Sequence, residues 1–167
     1  MEFLIFSDSH GRNERMLRAV ARQPRKPDGV LFLGDGLRQM ERGLFGELPL
    51  FAVRGNCDGF SPLWEDVRDE ELFRFAGHTL LLTHGATYGV KGGLARLETA
   101  AAQKGAELAL FGHTHEPYLH TTAAGERLGG RMLDRPLYLF NPGSIADGSF
   151  GHLLLTEETV LFSHGRV

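Results

Sequence analysis

The segment Phe3-Leu4-Ile5-Phe6-Ser7-Asp8-Ser9-His10-Gly11 runs from a short apolar stretch straight into a polar cluster. The apolar part, Glu2 to Phe6, is unbroken rather than alternating. That pattern predicts a short strand covered on both faces, as in parallel or mixed sheets packed beneath other layers. The same arrangement recurs four times. Val30 to Leu33 leads into Gly34-Asp35-Gly36, and Leu50 to Val53 into Arg54-Gly55-Asn56-Cys57-Asp58. Thr79 to Leu82 leads into Thr83-His84-Gly85, and Leu108 to Phe111 into Gly112-His113-Thr114-His115. In α/β sheets, side chains at the carboxyl ends of strands converge on one crevice. Five strands that all end in Asp, Asn or His therefore predict a site, and this repetition decides both fold and function.

The remaining chain fills in around those strands. Residues 12–22 place Met16, Leu17 and Val20 on one side of an amphipathic helix, which Pro24 and Pro27 bring to an end. Residues 92–104 place Leu94, Leu97 and Ala101 at helical spacing, with Gly105 as the C-terminal cap. Leu72 to Phe75 and Thr79 to Leu82 flank Gly77 as a hairpin. Tyr118 to Thr121, Leu137 to Phe140, His152 to Leu155 and Thr159 to Phe162 read as further strands. A βα first half followed by a β-rich second half predicts two facing sheets with helices outside, in one domain spanning 1–167.

Composition narrows the functional classes. The 167 residues suffice for one sizeable core, and 42% hydrophobic with 23% charged residues is ordinary for a globular chain. A formal net charge of −3 with no Lys/Arg stripe argues against stable nucleic-acid binding. The arginines between Arg12 and Lys26 read as a solvated helix face. No apolar run approaches bilayer length, and the start lacks the pattern of a signal peptide. Cys57 is the only cysteine, so no internal disulfide forms. These features together predict a cytoplasmic protein without membrane contact. The sequence leaves a homo-oligomer open.

Taken singly, each polar residue is weak evidence. A lone Asp after a strand usually caps a helix or makes a turn. A lone His is usually an ordinary hydrogen-bonded residue, and His78, His120, His152 and His164 take that reading. His113 and His115 are stronger, since residues two apart in extended chain face the same side. Gly11, Gly34, Gly55, Gly85 and Gly112 each adjoin a candidate ligand, which predicts sharp turns or close backbone approach there.

The five blocks Asp8-Ser9-His10, Gly34-Asp35, Gly55-Asn56, His84-Gly85 and Gly112-His113-Thr114-His115 together resemble the signature of the calcineurin-like metallophosphoesterases, in the order that family shows. Asn141-Pro142-Gly143-Ser144 and the short length resemble its small branch, the YfcE-type phosphodiesterases. The resemblance implies an α/β fold: a four-layer α/β/β/α sandwich of two facing mixed β-sheets flanked by helices. It implies two divalent ions, with Asp8, His10 and His115 on one, Asn56, His84 and His113 on the other, and Asp35 between them. Asp35, Asn56 and His84 are also the residues it assigns to catalysis. Imidazole and carboxylate ligands without thiolate suit Mn, Fe, Co, Ni or Zn, and Mn2+ is the ion expected, with Fe, Ni, Co or Zn as alternatives.

The activity implied is hydrolysis of a small phosphoester by a hydroxide held between the ions. A phosphodiester is the expected substrate. Alternatives are a phosphomonoesterase or nucleotidase on the same site, and a non-catalytic binding scaffold of the same fold. Cys57 stands where a related branch carries a His that assists the leaving group. A thiol replaces imidazole poorly as an acid near neutral pH, which favours diesters with good leaving groups. Cys57 is expected beside the ligands rather than among them.

Overall fold

The computed structural model describes residues 1–167. In chain order the elements are β1 (Glu2–Phe6), α1 (Asn13–Ala21), β2 (Gly29–Phe32), β3 (Leu50–Ala52), β4 (Glu70–Phe75), β5 (His78–Thr83), α2 (Ala95–Gln103), β6 (Leu108–Leu110), β7 (Pro117–Thr122), β8 (Arg127–Leu128), β9 (Arg131–Met132), β10 (Leu137–Pro142), β11 (Ser149–Leu155) and β12 (Val160–Arg166). Single 3₁₀ turns lie at Leu37–Gln39, Pro62–Trp64, Ala86–Tyr88 and Ile145–Asp147.

Two five-stranded sheets form, in the orders β12-β11-β1-β2-β3 and β4-β5-β6-β10-β7, beside a small β8-β9 ribbon. In the first sheet β1, β2 and β3 pair in parallel, while β11 pairs antiparallel with both β1 and β12. In the second, β5, β6 and β10 are parallel, with antiparallel β4 and β7 at the edges. Both sheets are mixed.

Strand alternation assigns each residue to a layer. Phe3 and Ile5 of β1, Leu31 of β2, and Leu153 and Leu155 of β11 point inward, against Leu80 and Leu82 of β5, Leu108 and Leu110 of β6, and Phe140 of β10. Their sequence neighbours Leu4, Phe6, Val30 and Phe32 point outward and are covered by Met16 and Ala19 of α1. On the other side Leu81, Ala109 and Leu139 are covered by Leu97, Ala101 and Ala102 of α2. This is why the apolar runs do not alternate: both faces of each central strand are buried. The three cores make the four-layer α/β/β/α sandwich that the sequence predicts. Truncating a fully buried leucine such as Leu82 to Ala costs about 2–5 kcal/mol.

Element ends shift slightly from the sequence reading. Helix α1 starts at Asn13 with no side-chain cap, and its C-terminal cap Arg22 precedes both prolines. Helix α2 starts at Ala95, not 92. Gly105 closes α2 as expected, at φ +71°, with its N–H on Ala102 O and the Ala106 N–H on Ala101 O. The β4–β5 hairpin turns through Ala76 and Gly77, both at positive φ. No helix is long and apolar enough to cross a membrane.

Candidate metal centre

Six non-glycine residues have positive φ: Asp8, His10, Asp35, Ala76, His113 and His115. Only Ala76 lies in a hairpin turn. The other five come from the three strand-end blocks that follow β1, β2 and β6. Non-glycine residues adopt this conformation at a cost, and such strain concentrates at functional sites. The left-handed turns aim short side chains back across the strand ends. His113 and His115 are therefore not in the extended backbone that their two-residue spacing predicts. Each sits in its own left-handed turn, and they join different groups.

One group is Asp8, His10 and His115, and a second is Asp35, His84 and His113, each with ligand atoms within 4.8 Å of one another. In the first, His115 Nε2 lies 3.2 Å from Asp8 Oδ1. In the second, His84 Nε2 lies 3.2 Å from His113 Nδ1 and 3.3 Å from Asp35 Oδ2. Donors that share an ion at about 2.0–2.2 Å stand roughly 3.0–3.5 Å apart, which is the spacing here. The two groups adjoin, since His84 Nε2 is also 3.8 Å from Asp8 Oδ1.

Asp8 Oδ1 supplies the test of fit. The residue is fully buried and this oxygen has no hydrogen-bond partner. A buried, unpaired carboxylate oxygen is costly, and a cation between it and the imidazoles would satisfy it. Its other oxygen, Oδ2, accepts the Ser7 hydroxyl at 2.5 Å and the His113 N–H at 3.1 Å, so only Oδ1 is left facing the site. The donor set fits divalent ions of the Mn-to-Zn series.

Neighbouring groups fix the candidate ligands. His84 Nδ1 donates to Leu33 O at 2.7 Å, which sets the tautomer and leaves Nε2 free toward Asp35. The Cys57 N–H donates to Asp35 Oδ1 at 2.8 Å. Burial alone would raise the Asp35 carboxyl, but His84 and the Cys57 N–H hold it well below the usual carboxylate range. Burial alone would likewise depress the His84 imidazole, yet Asp35 and Asp8 raise it above its ordinary value. Burial, the His84 charge and then Lys91 push His113 down.

Two glycines are required by proximity. A Cβ on Gly55 would overlap the Asp35 carboxylate, and one on Gly112 would overlap the Ser7 hydroxyl. Neither has a positive φ, so close approach and not turn geometry explains them.

Asn56 is exposed at the rim. It shares a cavity of about 230 Å³ with Gly55, His84, Gly85 and Thr83. Its amide donates to Cys57 Sγ at 3.3 Å. The Cys57 thiol is exposed and is pushed up by Asp35 and then by burial, so it is held protonated.

Sequence reasoning gave Asp58 no role. Its buried carboxylate accepts four backbone N–H groups: Gly36 and Leu37 on Oδ1 at 2.7 Å each, Gly55 on Oδ2 at 2.8 Å and Asp35 on Oδ2 at 2.9 Å. It welds the Asp35 turn to the Asn56 loop. The Asn141–Ser144 segment acts similarly. Asn141 Nδ2 donates to Gly112 O and Thr114 Oγ1, and the Ser144 hydroxyl donates to Asp8 O. Of the histidines read as ordinary, His78 is buried between Glu107 and Thr156 O, and His164 stacks on Phe140 and bonds Asn141 O.

The layered fold with carboxylate–imidazole clusters at its strand ends defines a divalent-metal protein class. The profile of the calcineurin-like phosphoesterase superfamily domain matches residues 1–162, and the chain belongs to that superfamily of phosphoester hydrolases. It is similar to the probable metallophosphoesterase YsnB of Bacillus subtilis (strain 168), at 32% identity over 145 residues, 87% of this chain and 75% of that one. Its structure is similar to that of a conserved uncharacterized protein, described as a predicted phosphoesterase, from Streptococcus pneumoniae TIGR4, with a TM-score of 0.77 at 19% identity over 99% of this chain and 88% of that one. It is also similar in fold to Entamoeba histolytica Vps29 complexed with Zn2+, with a TM-score of 0.65 at 18% identity over 99% of each chain.

Proposed function

We propose that the chain is a phosphodiesterase working with two divalent ions, Mn2+ foremost, on a small phosphodiester in the cytoplasm. The observation that carries this is the orphaned Asp8 Oδ1, set between two adjoining imidazole–carboxylate groups. Asp8, His10 and His115 would hold one ion. Asn56, His84 and His113 would hold the other, with Asp35 between the two. When bound, the ions supply Lewis acidity toward the phosphoryl oxygens and lower the pKa of water toward about 7.

The chain's own residues set the geometry and the charge. His84 is oriented by its bond to Leu33 O, and Asp35 by the Cys57 N–H. In the reaction a water oxygen bonds to phosphorus as the phosphorus–oxygen bond to the departing alcohol breaks, and the alcohol oxygen takes up a proton. Asp35, held ionised, would offset the repulsion between the two ions. The Cys57 thiol sits at the rim with a raised pKa, so it hands over its proton reluctantly. That supports substrates whose departing group needs little help, which favours diesters with acidic leaving alcohols over monoesters of alkyl alcohols.

The Entamoeba Vps29 is solved with Zn2+, so metal binding alone does not separate a hydrolase from a binding protein of this fold. Hydrolysis does. Protein stripped with a chelator and reloaded with Mn2+ should hydrolyse bis(p-nitrophenyl) phosphate, and should hydrolyse p-nitrophenyl phosphate more slowly. Metal-loaded protein inert on both would leave the scaffold reading, and a preference for the monoester would establish the phosphomonoesterase.

A further inference from the structure

A cavity of about 380 Å³ lies behind the His113–His115 loop. Phe111, which ends the strand before His113, forms part of its wall, and so does Thr114, which sits between the two histidines. Val90 closes another side and packs on the turn after His84: a Cβ on Gly85 would stand 2.9 Å from Val90 Cγ2. The cavity therefore shares its walls with both the His84 turn and the His113 loop. Leu94 and Tyr118 complete an apolar side, and Lys91 and Glu116 stand at the polar edge.

Its shape and chemistry are specific. Phe111 is buried and meets Tyr118 edge-on, ring centroids 6.2 Å apart at 61°. Tyr118 keeps 38% of its surface exposed. A ring locked on one side and open on the other is a stacking platform, and stacking accepts any flat π-face. The volume lies near the lower end of the roughly 300–1,000 Å³ typical of small-ligand sites, which suits one ring system. Lys91 is exposed at the cavity's edge and has no ion-pair partner.

We propose that this cavity receives the arm that stays on phosphorus, an aryl group or a nucleobase, of the phosphodiester whose phosphate lies at the metal centre. The inference rests on the phosphodiesterase reading above and extends it to a substrate class. Phosphate at the clusters and a flat ring on Tyr118 would orient the ester across the His113–Thr114 backbone.

Two substrates with the same leaving group test it: phenyl p-nitrophenyl phosphate and methyl p-nitrophenyl phosphate. With Mn2+-loaded protein, the phenyl ester should show kcat/KM about tenfold or more above the methyl ester, the size that aromatic stacking supplies. Tyr118→Ala and Leu94→Glu should each shrink that ratio toward one, mainly through KM, while Tyr118→Phe preserves it. Calorimetry with the non-hydrolysable pair phenylphosphonate and methylphosphonate gives a second readout, in which Tyr118→Ala should erase the preference for phenyl. Normal hydrolysis with a wild-type ratio near one, or a ratio untouched by both Tyr118→Ala and Leu94→Glu, overturns the cavity assignment and leaves the phosphodiesterase standing. No hydrolysis of either ester, with phenylphosphonate still preferred through Tyr118, overturns the phosphodiesterase and leaves the cavity standing.

Discussion

The carboxylate of Asp58 accepts the backbone N–H of Asp35 at 2.9 Å, and thereby holds a turn 23 residues earlier in the chain. The same carboxylate gathers the N–H groups of Gly36, Leu37 and Gly55. Four N–H dipoles aimed at one buried anion make a polar knot that would be expensive to leave half satisfied. Asp58 touches no other ligand side chain, yet it sets where the Asp35 carboxylate points. Asp58→Asn replaces one acceptor oxygen with a donor that faces two N–H groups. Stability should fall by about 1–3 kcal/mol, and metal affinity by about 10–100-fold, the loss usual for a supporting partner of a ligand. Thermal melts with and without Mn2+ and a competitive metal titration would measure both. Wild-type values in the two would show that Asp58 supports nothing.

The Asp35–His84 pair makes a prediction about pH in metal-free protein. Asp35 is depressed on folding, so its contribution is present above the unfolded carboxyl pKa and is lost as pH falls through the lower folded value. His84 is raised, so its contribution is complete below an ordinary imidazole pKa and is lost as pH rises through its higher folded value. Both are fully present between roughly pH 4 and 6.5. Above that window the metal-free protein should lose stability as His84 deprotonates. Metal binding needs the neutral imidazole, so Mn2+ affinity should rise over the same range. Melts of chelated and Mn2+-loaded protein from pH 5 to 9 should diverge. Parallel curves would dissolve the link between this pair and the metal.

Much of this was legible in the sequence because strand burial and site chemistry use the same punctuation. Phe6 to Asp8, Leu33 to Asp35 and Phe111 to His113 each cross from a two-sided core to the strand end within three residues. The four-layer order follows from unbroken runs such as Leu80 to Leu82, since only a sheet covered twice buries adjacent residues. What stayed hidden depends on distant partners. Nothing local marks Asp58, because three of its four donors lie at residues 35–37. The candidate ligands' own left-handed turns were hidden too: glycine is the residue expected there, yet Asp8, Asp35 and His113 take that conformation themselves. The β8–β9 ribbon, turning at Gly129 and Gly130, has strands of only two residues, too short to show a period.

Asp35 should outweigh any single ligand that serves one ion. It is the carboxylate grouped with His84 and His113, and His84 in turn faces Asp8 of the other group. Asp35→Asn keeps the shape but removes the charge that offsets repulsion between two divalent ions. Metal content should drop by one ion per chain, and the rate on bis(p-nitrophenyl) phosphate should fall by about 10²-fold or more. Elemental analysis beside kinetics would show it. Full metal content with a near-normal rate would place the shared carboxylate elsewhere.

Cys57 gives the most direct test of how the leaving group departs. Its N–H serves Asp35, while its side chain is an exposed thiol held protonated by that same carboxylate. A thiol with a raised pKa is slow to give up its proton, and a basic alkoxide leaving from phosphorus requires one. General acid catalysis contributes about 10²–10⁴-fold, so its weakness should appear as a steep dependence of rate on leaving-group pKa. Cys57→His places a group that titrates near neutrality at the same rim. It should raise rates chiefly for alkyl esters and flatten the dependence. Cys57→Ala keeps the backbone N–H on Asp35 and removes only the thiol, so metal content should hold and the slope should stay steep. A series of aryl and alkyl phosphodiesters run on all three proteins separates the cases. Loss of metal in Cys57→Ala would make the thiol a ligand. Loss of rate there, confined to poor leaving groups, would make the thiol itself the acid, and a Cys57→His protein with an unchanged slope would move proton delivery to another residue.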